Sequence, residues 1–327
     1  MDKDNLQIEK IDTTLFENLW SEINKVIVGR RNELKLILTA LLSEGHVLLE
    51  DLPGTGKTTM VKAFAKAVDC LFARVQCTPD LLPSDILGVS IFNPKTNDFY
   101  FCKGPVFTNI LLVDEINRTL PRTQSSLLEC MEERQVSIDG KTYLLAKPFL
   151  VIATQNPIEM EGTFPLPEAQ LDRFSLKIKL GYPTQEEEKR MLELVGDTIL
   201  YEKINSKLNP EIIQSLQEKC QKVYVHSSIR EYIAILAQET RSHPLVAYGV
   251  SPRASKAIYK MVKAWALING RDYVIPDDVK IMLKPVWNHR LILKTEAHIN
   301  NTQPEDILEE ILGKVSIPDE KVIRDEQ

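Results

Sequence analysis

Residues 46–58 read HVLLEDLPGTGKT, a short apolar run followed by a glycine-rich turn and Lys57-Thr58. The apolar run, residues 46–50, is typical of a buried strand. A helical pattern follows it over residues 58–67. A strand, a glycine-rich turn and a helix in this order favour a polyphosphate-binding loop, because backbone N–H groups and the positive helix N-terminus both face the anion.

The polar groups of this turn have distinct roles in such a loop. Lys57 would contact the β- and γ-phosphates as a point charge, and the Thr58 hydroxyl would ligate Mg²⁺. Asp51 stands where the general pattern has its first glycine, and aspartate tolerates turn geometry. The alternative is a structural turn with an incidental lysine. The other predicted nucleotide contacts here are Pro53, Gly54, Thr55, Gly56 and Thr59.

A second chemical signal is the apolar run of residues 109–113, which ends in Asp114 and Glu115. At the carboxyl end of a parallel strand, Asp114 would face the ligand crevice and hold Mg²⁺ through water. Glu115 could take a proton from an attacking water. Strands often end in acidic turns for structural reasons, so this assignment depends on the phosphate loop upstream.

Short apolar runs alternate with helical patterns in the first part of the chain, which indicates a parallel sheet covered on both faces. These runs are residues 46–50, 71–76, 109–113, 149–154 and 174–180. Beyond residue 184 the pattern becomes helical, over residues 186–195, 210–223, 228–243, 252–269 and 276–288. We predict an α/β nucleotide-binding core over residues 1–183, a second, all-helical domain over 184–300, and an acidic, frayed tail over 301–327.

The composition of the 327 residues, 43% apolar and 26% charged, is that of an ordinary globular protein. A net charge of -6 disfavours nucleic acid as the main ligand. Without a bilayer-length apolar run or a secretory signal, we expect a cytoplasmic protein that does not insert into membranes. No C-x-x-C pair occurs, which predicts reduced structural thiols at Cys70, Cys77, Cys102, Cys130 and Cys220.

The two motifs and their surroundings resemble the AAA+ ATPases, and within them the MoxR group, from about residue 26 to about residue 290. The further matching segments are KGPVF at 103–107, VDEINR at 113–118, QSSLLE at 124–129, ATQNP at 153–157, LPEAQLDRF at 166–174 and SPRA at 251–254. The resemblance implies a five-stranded parallel AAA+ sheet flanked by helices and followed by a smaller all-helical lid. It also implies ATP and Mg²⁺ as ligands and ATP hydrolysis as the activity.

The resemblance assigns roles to four further positions. Asn156 would be the sensor 1 residue that contacts the lytic water or the γ-phosphate, although an Asn before proline also forms ordinary turns. Arg173 would be an arginine finger that reaches the neighbouring subunit's nucleotide, and alone it could instead pair with Asp172 or Glu168. Arg253 would be sensor 2. Val28 and Gly29 would contact the adenine, unless Gly29 simply ends a helix.

Two insertions also resemble this group. Residues 78–108 look like the insertion in the second helix, because they are too long and too apolar for a simple connection. Residues 134–148 contain a hairpin over 134–144 with Asp139-Gly140 at its turn. In the family such elements face the pore of a ring or one of its faces, and we expect them to move.

The resemblance implies a chaperone-like remodeller that assembles as a homo-hexameric ring and acts on proteins with von Willebrand factor A domains. One alternative is a nucleotide-controlled scaffold with little turnover, to which only Asp51 points. Another is a subunit of a metal chelatase or a nucleic-acid motor. The predicted hairpin lacks the basic excess of a DNA-tracking loop, because Asp139 and the acids before it oppose its lysines.

Overall fold

The structure is a computed structural model that describes residues 13–50, 54–156, 162–193, 203–206 and 208–318. Its described residues form two compact units, one of residues 18–213 and the other of residues 13–17 and 214–318. The core–lid boundary expected near residue 183 stays a prediction. Within the described ranges, no helix combines the length and the apolar character needed to cross a membrane.

The strands and helices are numbered in chain order. The strands are β1 (Val47–Glu50), β2 (Phe72–Gln76), β3 (Gly88–Asn93), β4 (Asp98–Lys103), β5 (Ile110–Asp114), β6 (Gln135–Ile138), β7 (Lys141–Leu144), β8 (Leu150–Gln155), β9 (Leu176–Lys179), β10 (Val246–Tyr248) and β11 (Ile292–Leu293). The helices are α1 (Thr14–Ile23), α2 (Arg31–Leu42), α3 (Lys57–Ala67), α4 (Pro83–Leu87), α5 (Pro121–Glu133), α6 (Glu168–Leu171), α7 (Gln185–Glu193), α8 (Pro210–Lys222), α9 (Ser227–Ser242), α10 (Pro252–Ile268), α11 (Pro276–Trp287), α12 (Thr295–Ile299) and α13 (Pro304–Lys314).

The first unit is built on a parallel five-stranded sheet with the order β2-β5-β8-β1-β9. All five residues of β5 and the first five of β8 are buried. These strands are continuous apolar runs because each contacts the core on both faces. The five predicted strands and their parallel arrangement are confirmed.

A buried histidine, His46, links the start of β1 to two neighbouring segments. Its Nε2 lies 3.0 Å from the carbonyl oxygen of Met131, and the backbone N–H of Val151 donates to its Nδ1 at 3.0 Å. Because Nδ1 must accept, the ring is neutral and carries its proton on Nε2. Burial lowers the pKa of His46 to about 4.

This histidine makes the stability of the protein depend on pH. The unfolded chain binds the proton below pH about 6.5 and the folded chain only below pH about 4, so stability is lost as the pH falls between these values. We expect the free energy of unfolding to fall by about 2 kcal/mol between pH 7 and pH 5 from His46 alone. Urea unfolding of wild type and His46→Gln at both pH values measures this loss, and equal losses in the two proteins would contradict it.

Both predicted insertions are structured. Residues 78–108 contain α4 and an antiparallel hairpin of β3 and β4. The hairpin predicted at residues 134–144 is formed by β6 and β7. Asp139 and Gly140 at its turn have φ angles of 51° and 73°, as the favoured two-residue turn requires.

The second unit confirms the helical lid, with one addition and one correction. The addition is a short antiparallel pair of β10 and β11, which have too few residues to produce a strand pattern in the sequence. The expectation of a frayed tail from residue 301 is wrong for α13. Buried residues of α13 are Ile307, Leu308 and Ile311, and this helix packs against α9 and α11. Residues 319–327 of the predicted tail lie outside the described residues.

Candidate nucleotide-binding site

The glycine-rich turn leads into α3 as predicted. Gly54 and Gly56 have φ angles of 85° and 81°, which side chains with a Cβ rarely adopt. Gly56 is the N-cap of α3, so Lys57 and Thr58 begin the helix and are half-buried, whereas Thr59 is exposed. Two predicted positions of this loop, Asp51 and Pro53, lie outside the described residues.

The sheet brings this turn and the two acids to the same edge. Strand β8 lies between β1 and β5, with Glu50 opposite Gln155 and Val113 opposite Ala153. Because neighbouring strands are about 4.8 Å apart, the end of β1 and Asp114 lie about 10 Å apart across β8. Helix α3 also packs against β5. The fold therefore brings the glycine-rich turn at Gly54 and Gly56 beside the acidic strand end.

Asp114 is buried at the end of β5, and both of its carboxylate oxygens are engaged. The Nε of Arg74 donates to Oδ2 at 2.6 Å, and the Thr154 hydroxyl donates to Oδ1 at 3.3 Å. The same hydroxyl accepts a hydrogen bond from the Glu115 backbone N–H at 2.9 Å. Thr154 thus connects the two acids through β8.

Glu115 leaves the strand in the left-handed region, with φ 57° and ψ 51°. Its Oε2 accepts hydrogen bonds from Nε2 of Gln76 at 2.8 Å and from Nη1 of Arg118 at 3.2 Å. The side chain therefore has a defined orientation at the edge of the sheet. A non-glycine residue in this conformation is uncommon and is concentrated at functional sites.

The sequence did not identify four polar residues of this site, namely Arg74, Gln76, Arg118 and Thr154. Arg118 and Thr154 belong to segments that resemble the family, but no role was expected for them. Arg74 and Gln76 are on β2, and only the observed strand order places β2 beside β5. Arg74 and Gln76 are two residues apart on β2, so their side chains lie on the same face of the strand. Had the strand order been known, this spacing would have indicated both as partners of the two acids.

Cys77 lies close to the two acids, and its surroundings favour the protonated thiol. Its backbone N–H donates to the Asp114 carbonyl at 2.9 Å. Burial raises the pKa of Cys77 to about 12, and the charges of Asp114 and Glu115 act in the same direction. Cys70, Cys130 and Cys220 are likewise buried, whereas Cys102 is exposed on β4, unlike the structural thiol expected there.

The three residues predicted as sensor 1, arginine finger and sensor 2 lie in different elements of the structure. Asn156 is buried and directly follows β8, the neighbour of the acidic strand. Arg173 follows α6, and its Nε lies 3.3 Å from Oε2 of Glu132 on α5. This partner is neither of the two acids considered from the sequence, because α5 supplies an acid that is distant along the chain. Arg253 is the second residue of α10 in the second unit.

A cavity of about 500 Å³ includes the two residues expected to contact adenine, Val28 and Gly29. This volume lies within the range of small-molecule sites. Helix α1 ends at Ile23, so the alternative that Gly29 ends a helix is wrong. Further lining residues are Asn24, Lys25, Ile27, Arg31, Arg190 and Glu193.

The donor set at the acidic edge suits Mg²⁺. Asp114 offers carboxylate oxygens and Thr58 a hydroxyl, and hard oxygen donors are what Mg²⁺ prefers over thiols and imidazoles. The carboxylate of Asp114 already binds the positive charge of Arg74. The donor atoms of Asp114 and Thr58 are therefore of the kind that Mg²⁺ takes.

Comparisons with known proteins agree with this geometry. Residues 46–176 match the ATPase family associated with various cellular activities (AAA), and residues 238–311 match the AAA lid domain. The chain is 51% identical to the uncharacterised protein YeaC of Bacillus subtilis, over 90% of this chain and 92% of YeaC. It is 43% identical to the chaperone MoxR1 of Mycobacterium tuberculosis, over 91% of this chain and 81% of MoxR1.

A solved crystal structure from Cytophaga hutchinsonii superposes with a TM-score of 0.88 and 40% sequence identity. The match covers 94% of this chain and 96% of that one, so it includes both the sheet and the helical region. The glycine loop, the acidic strand end and these relationships lead to one assignment. The chain belongs to the MoxR-type AAA+ ATPases.

Proposed function

We propose that the chain binds ATP with Mg²⁺ at residues 54–59, hydrolyses it with help from an adjacent copy, and remodels a partner protein. The observation that carries this proposal is the placement of Asp114 and Glu115 at the same sheet edge as the glycine loop. Phosphoryl transfer needs charge stabilisation and positioning more than covalent chemistry. A site with a lysine, a hydroxyl and two acids supplies both.

Each residue has a part in the proposed hydrolysis. Lys57 and the backbone N–H groups at the start of α3 hold the phosphate oxygens. Thr58 and Asp114 would hold Mg²⁺, which when bound would neutralise negative charge on the phosphates. Glu115 accepts a proton from the attacking water, and Asn156 orients that water. Val28 and Gly29 form part of the wall that contacts the adenine.

We propose that a second subunit helps to stabilise the negative charge that develops on the γ-phosphate. Arg173 of one copy contacts the γ-phosphate held by its neighbour, and Arg253 contacts the nucleotide from the lid and senses its state. The Arg173 side chain is 30% exposed and pairs with Glu132, so it can exchange that partner for an anion. A homo-hexameric ring would complete every site, because each head-to-tail contact brings the Arg173 of one copy to the nucleotide of the next.

The surface proposed for the partner protein is the hairpin of β3 and β4. Phe92, Phe99 and Tyr100 are 45%, 64% and 52% exposed, and the rings of Phe92 and Phe99 lie 5.2 Å apart. Clustered exposed aromatic side chains mark contact sites for other proteins. The MoxR-type assignment favours a protein with a von Willebrand factor A domain as the client.

Phosphate release and light scattering test the ATPase and the ring. We expect hydrolysis that requires Mg²⁺, and in ATP a mass about six times the chain's 37.3 kDa. Binding of ATP without phosphate release would instead favour a nucleotide-controlled scaffold. A ring that binds single-stranded DNA at physiological salt would favour a nucleic-acid motor.

Pull-down with a Glu115→Gln bait in ATP tests the client, because slow hydrolysis should retain a partner that normally dissociates. We expect capture of a protein with a von Willebrand factor A domain. A bait that also carries Phe92→Ser and Phe99→Ser should bind ATP but lose that protein. Capture of self-subunits alone would contradict the remodelling proposal.

A further inference from the structure

A buried glutamine, Gln124, joins α5 to the segment that carries Arg173. Its side chain is fully buried near the start of α5. The amide nitrogen Nε2 donates to the carbonyl oxygens of Ile116, Thr119 and Phe164, at 3.2 Å, 3.1 Å and 2.9 Å. Phe164 lies on the segment that leads through α6 to Arg173. One side chain thus holds this segment against the turn that follows β5.

The three carbonyl oxygens determine the orientation of the Gln124 amide. A carbonyl oxygen can only accept, so the amide must turn its NH₂ group toward all three. Its own Oε1 then has no hydrogen-bond partner among the residues that the structure describes. An oxygen buried in this way costs stability, and an apolar side chain of the same length would avoid that cost. The contribution of Gln124 therefore lies in the contacts of its NH₂ group.

Two other contacts hold the same segment along α5, and both are weaker. Gln170 donates from Nε2 to the hydroxyl of Ser125 at 3.3 Å, on an exposed part of the surface. Arg173 pairs with Glu132 at 3.3 Å, and it must leave this partner to reach a phosphate. The contact of Gln124 is buried and does not involve Arg173. It can therefore persist when the finger moves.

Apolar side chains bury the segment but do not fix its position along α5. Leu166 and Phe174 are both buried in the core of this unit. The apolar attraction that holds them is non-directional, whereas a hydrogen bond requires a defined distance and angle. Phe164 is held at both polar groups, because its N–H also donates to the carbonyl oxygen of Asn117 at 2.6 Å. These two bonds set where the segment begins.

We propose that Gln124 is a positioning residue for the arginine finger. It holds residues 164–173 at the place on α5 from which Arg173 reaches the γ-phosphate of the neighbouring subunit. This inference rests on the proposed function, in which Arg173 acts across the subunit boundary. Because a displacement of about 1 Å can cost about 100-fold in rate, loss of the contact should lower kcat. Binding of ATP to each chain should not change.

The first test compares kcat with ATP affinity in Gln124→Met, which keeps the length of the side chain and removes the donor. We expect kcat to fall by about 10- to 100-fold. The affinity for a fluorescent ATP analogue should stay within about twofold of wild type. Gln238→Met, at an exposed glutamine on α9, is the matched control and should leave both values unchanged.

The second test uses mixed assemblies to separate a displaced finger from a damaged site. Lys57→Ala has an intact finger but should not hold ATP productively, whereas Arg173→Ala has an intact site and lacks the finger. Mixed with Lys57→Ala, Gln124→Met should regain hydrolysis, because its own sites then receive an intact finger. Mixed with Arg173→Ala, it should gain nothing, because its displaced finger is the only one that those contacts offer. A side chain that merely stabilised the fold would not produce this difference.

Gln124→Glu replaces Gln124→Met in both mixtures if the methionine variant does not fold. The protonated carboxyl can still donate to one carbonyl oxygen, and burial among carbonyl oxygens favours this form. The kcat of Gln124→Glu should therefore fall relative to wild type as the pH rises, because the ionised carboxylate cannot donate.

A wild-type kcat in Gln124→Met, or any pattern other than recovery with Lys57→Ala alone, would overturn the positioning role. If only Gln124→Glu folds, a kcat and a pH profile like those of wild type would overturn it. Failure of the proposed function would look different. In that case wild type would not release phosphate, or Lys57→Ala and Arg173→Ala would not regain activity when mixed with each other.

Discussion

Glu115→Gln is expected to lower kcat for ATP hydrolysis by at least about 100-fold, the contribution of a general base in such reactions. The amide has nearly the shape of the carboxylate but cannot accept the proton from the attacking water. Its carbonyl oxygen can still accept from Gln76 and Arg118, so the local structure should persist. Lys57 and Asp114 are untouched, and ATP affinity should therefore stay near the wild-type value.

Two measurements on the same preparations check this expectation. Single-turnover phosphate release reports the chemical step, and titration with a fluorescent ATP analogue reports binding. Glu231→Gln, an exposed position on α9, is the matched control and should hydrolyse ATP like wild type. Phosphate release by Glu115→Gln within a few-fold of wild type would remove Glu115 from the role of base.

Arg173→Ala should lower kcat by about 1,000-fold or more, because a guanidinium at the γ-phosphate stabilises charge that develops in the transition state. The residue belongs to the neighbouring copy in this proposal, so binding of ATP to each chain should be retained. Arg122→Ala, an exposed arginine on α5, controls for the loss of one positive charge. Equal losses in the two variants would reject a special role for Arg173.

A mixing experiment tests whether Arg173 acts across the subunit boundary. Lys57→Ala should not bind ATP productively but still carries Arg173, and Arg173→Ala has the reverse properties. When the two inactive variants are mixed, the contacts that combine an intact Lys57 with a neighbour's Arg173 should hydrolyse ATP. Recovery of activity on mixing would support the ring. An inactive mixture that has the mass of a mixed assembly would place Arg173 outside the neighbour's site.

Much of the core was predictable because its signals are local. The strand at residues 46–50, the glycine turn and the acidic end of residues 109–113 each follow from neighbouring residues in the chain. Strands buried on both faces are mostly apolar along their length, and a turn with positive φ angles favours glycine. The hairpin with Asp139-Gly140 at its turn was predictable for the same reason.

Three features depended on contacts between distant segments. Arg173 pairs with Glu132 and not with a neighbour in sequence, because the fold brings α5 beside the end of α6. Helix α13 is ordered because its apolar residues pack against α9 and α11, although its acidic composition indicated a frayed tail. The strands β10 and β11 are too short to be predicted from their own residues, and they form only by pairing with each other.

The sequence by itself determined the α/β core, the glycine-rich turn before α3 and the acidic end of β5, because strand burial, turn conformation and charge are properties of short segments. Only the tertiary structure decided that β2 lies beside β5, and this adjacency creates the network from Arg74 through Gln76 to Glu115. Strand order depends on how all the strands and helices bury their apolar surface together. No single segment of the chain encodes that order, so the side chains that surround the two acids could not be read from the motifs that contain them.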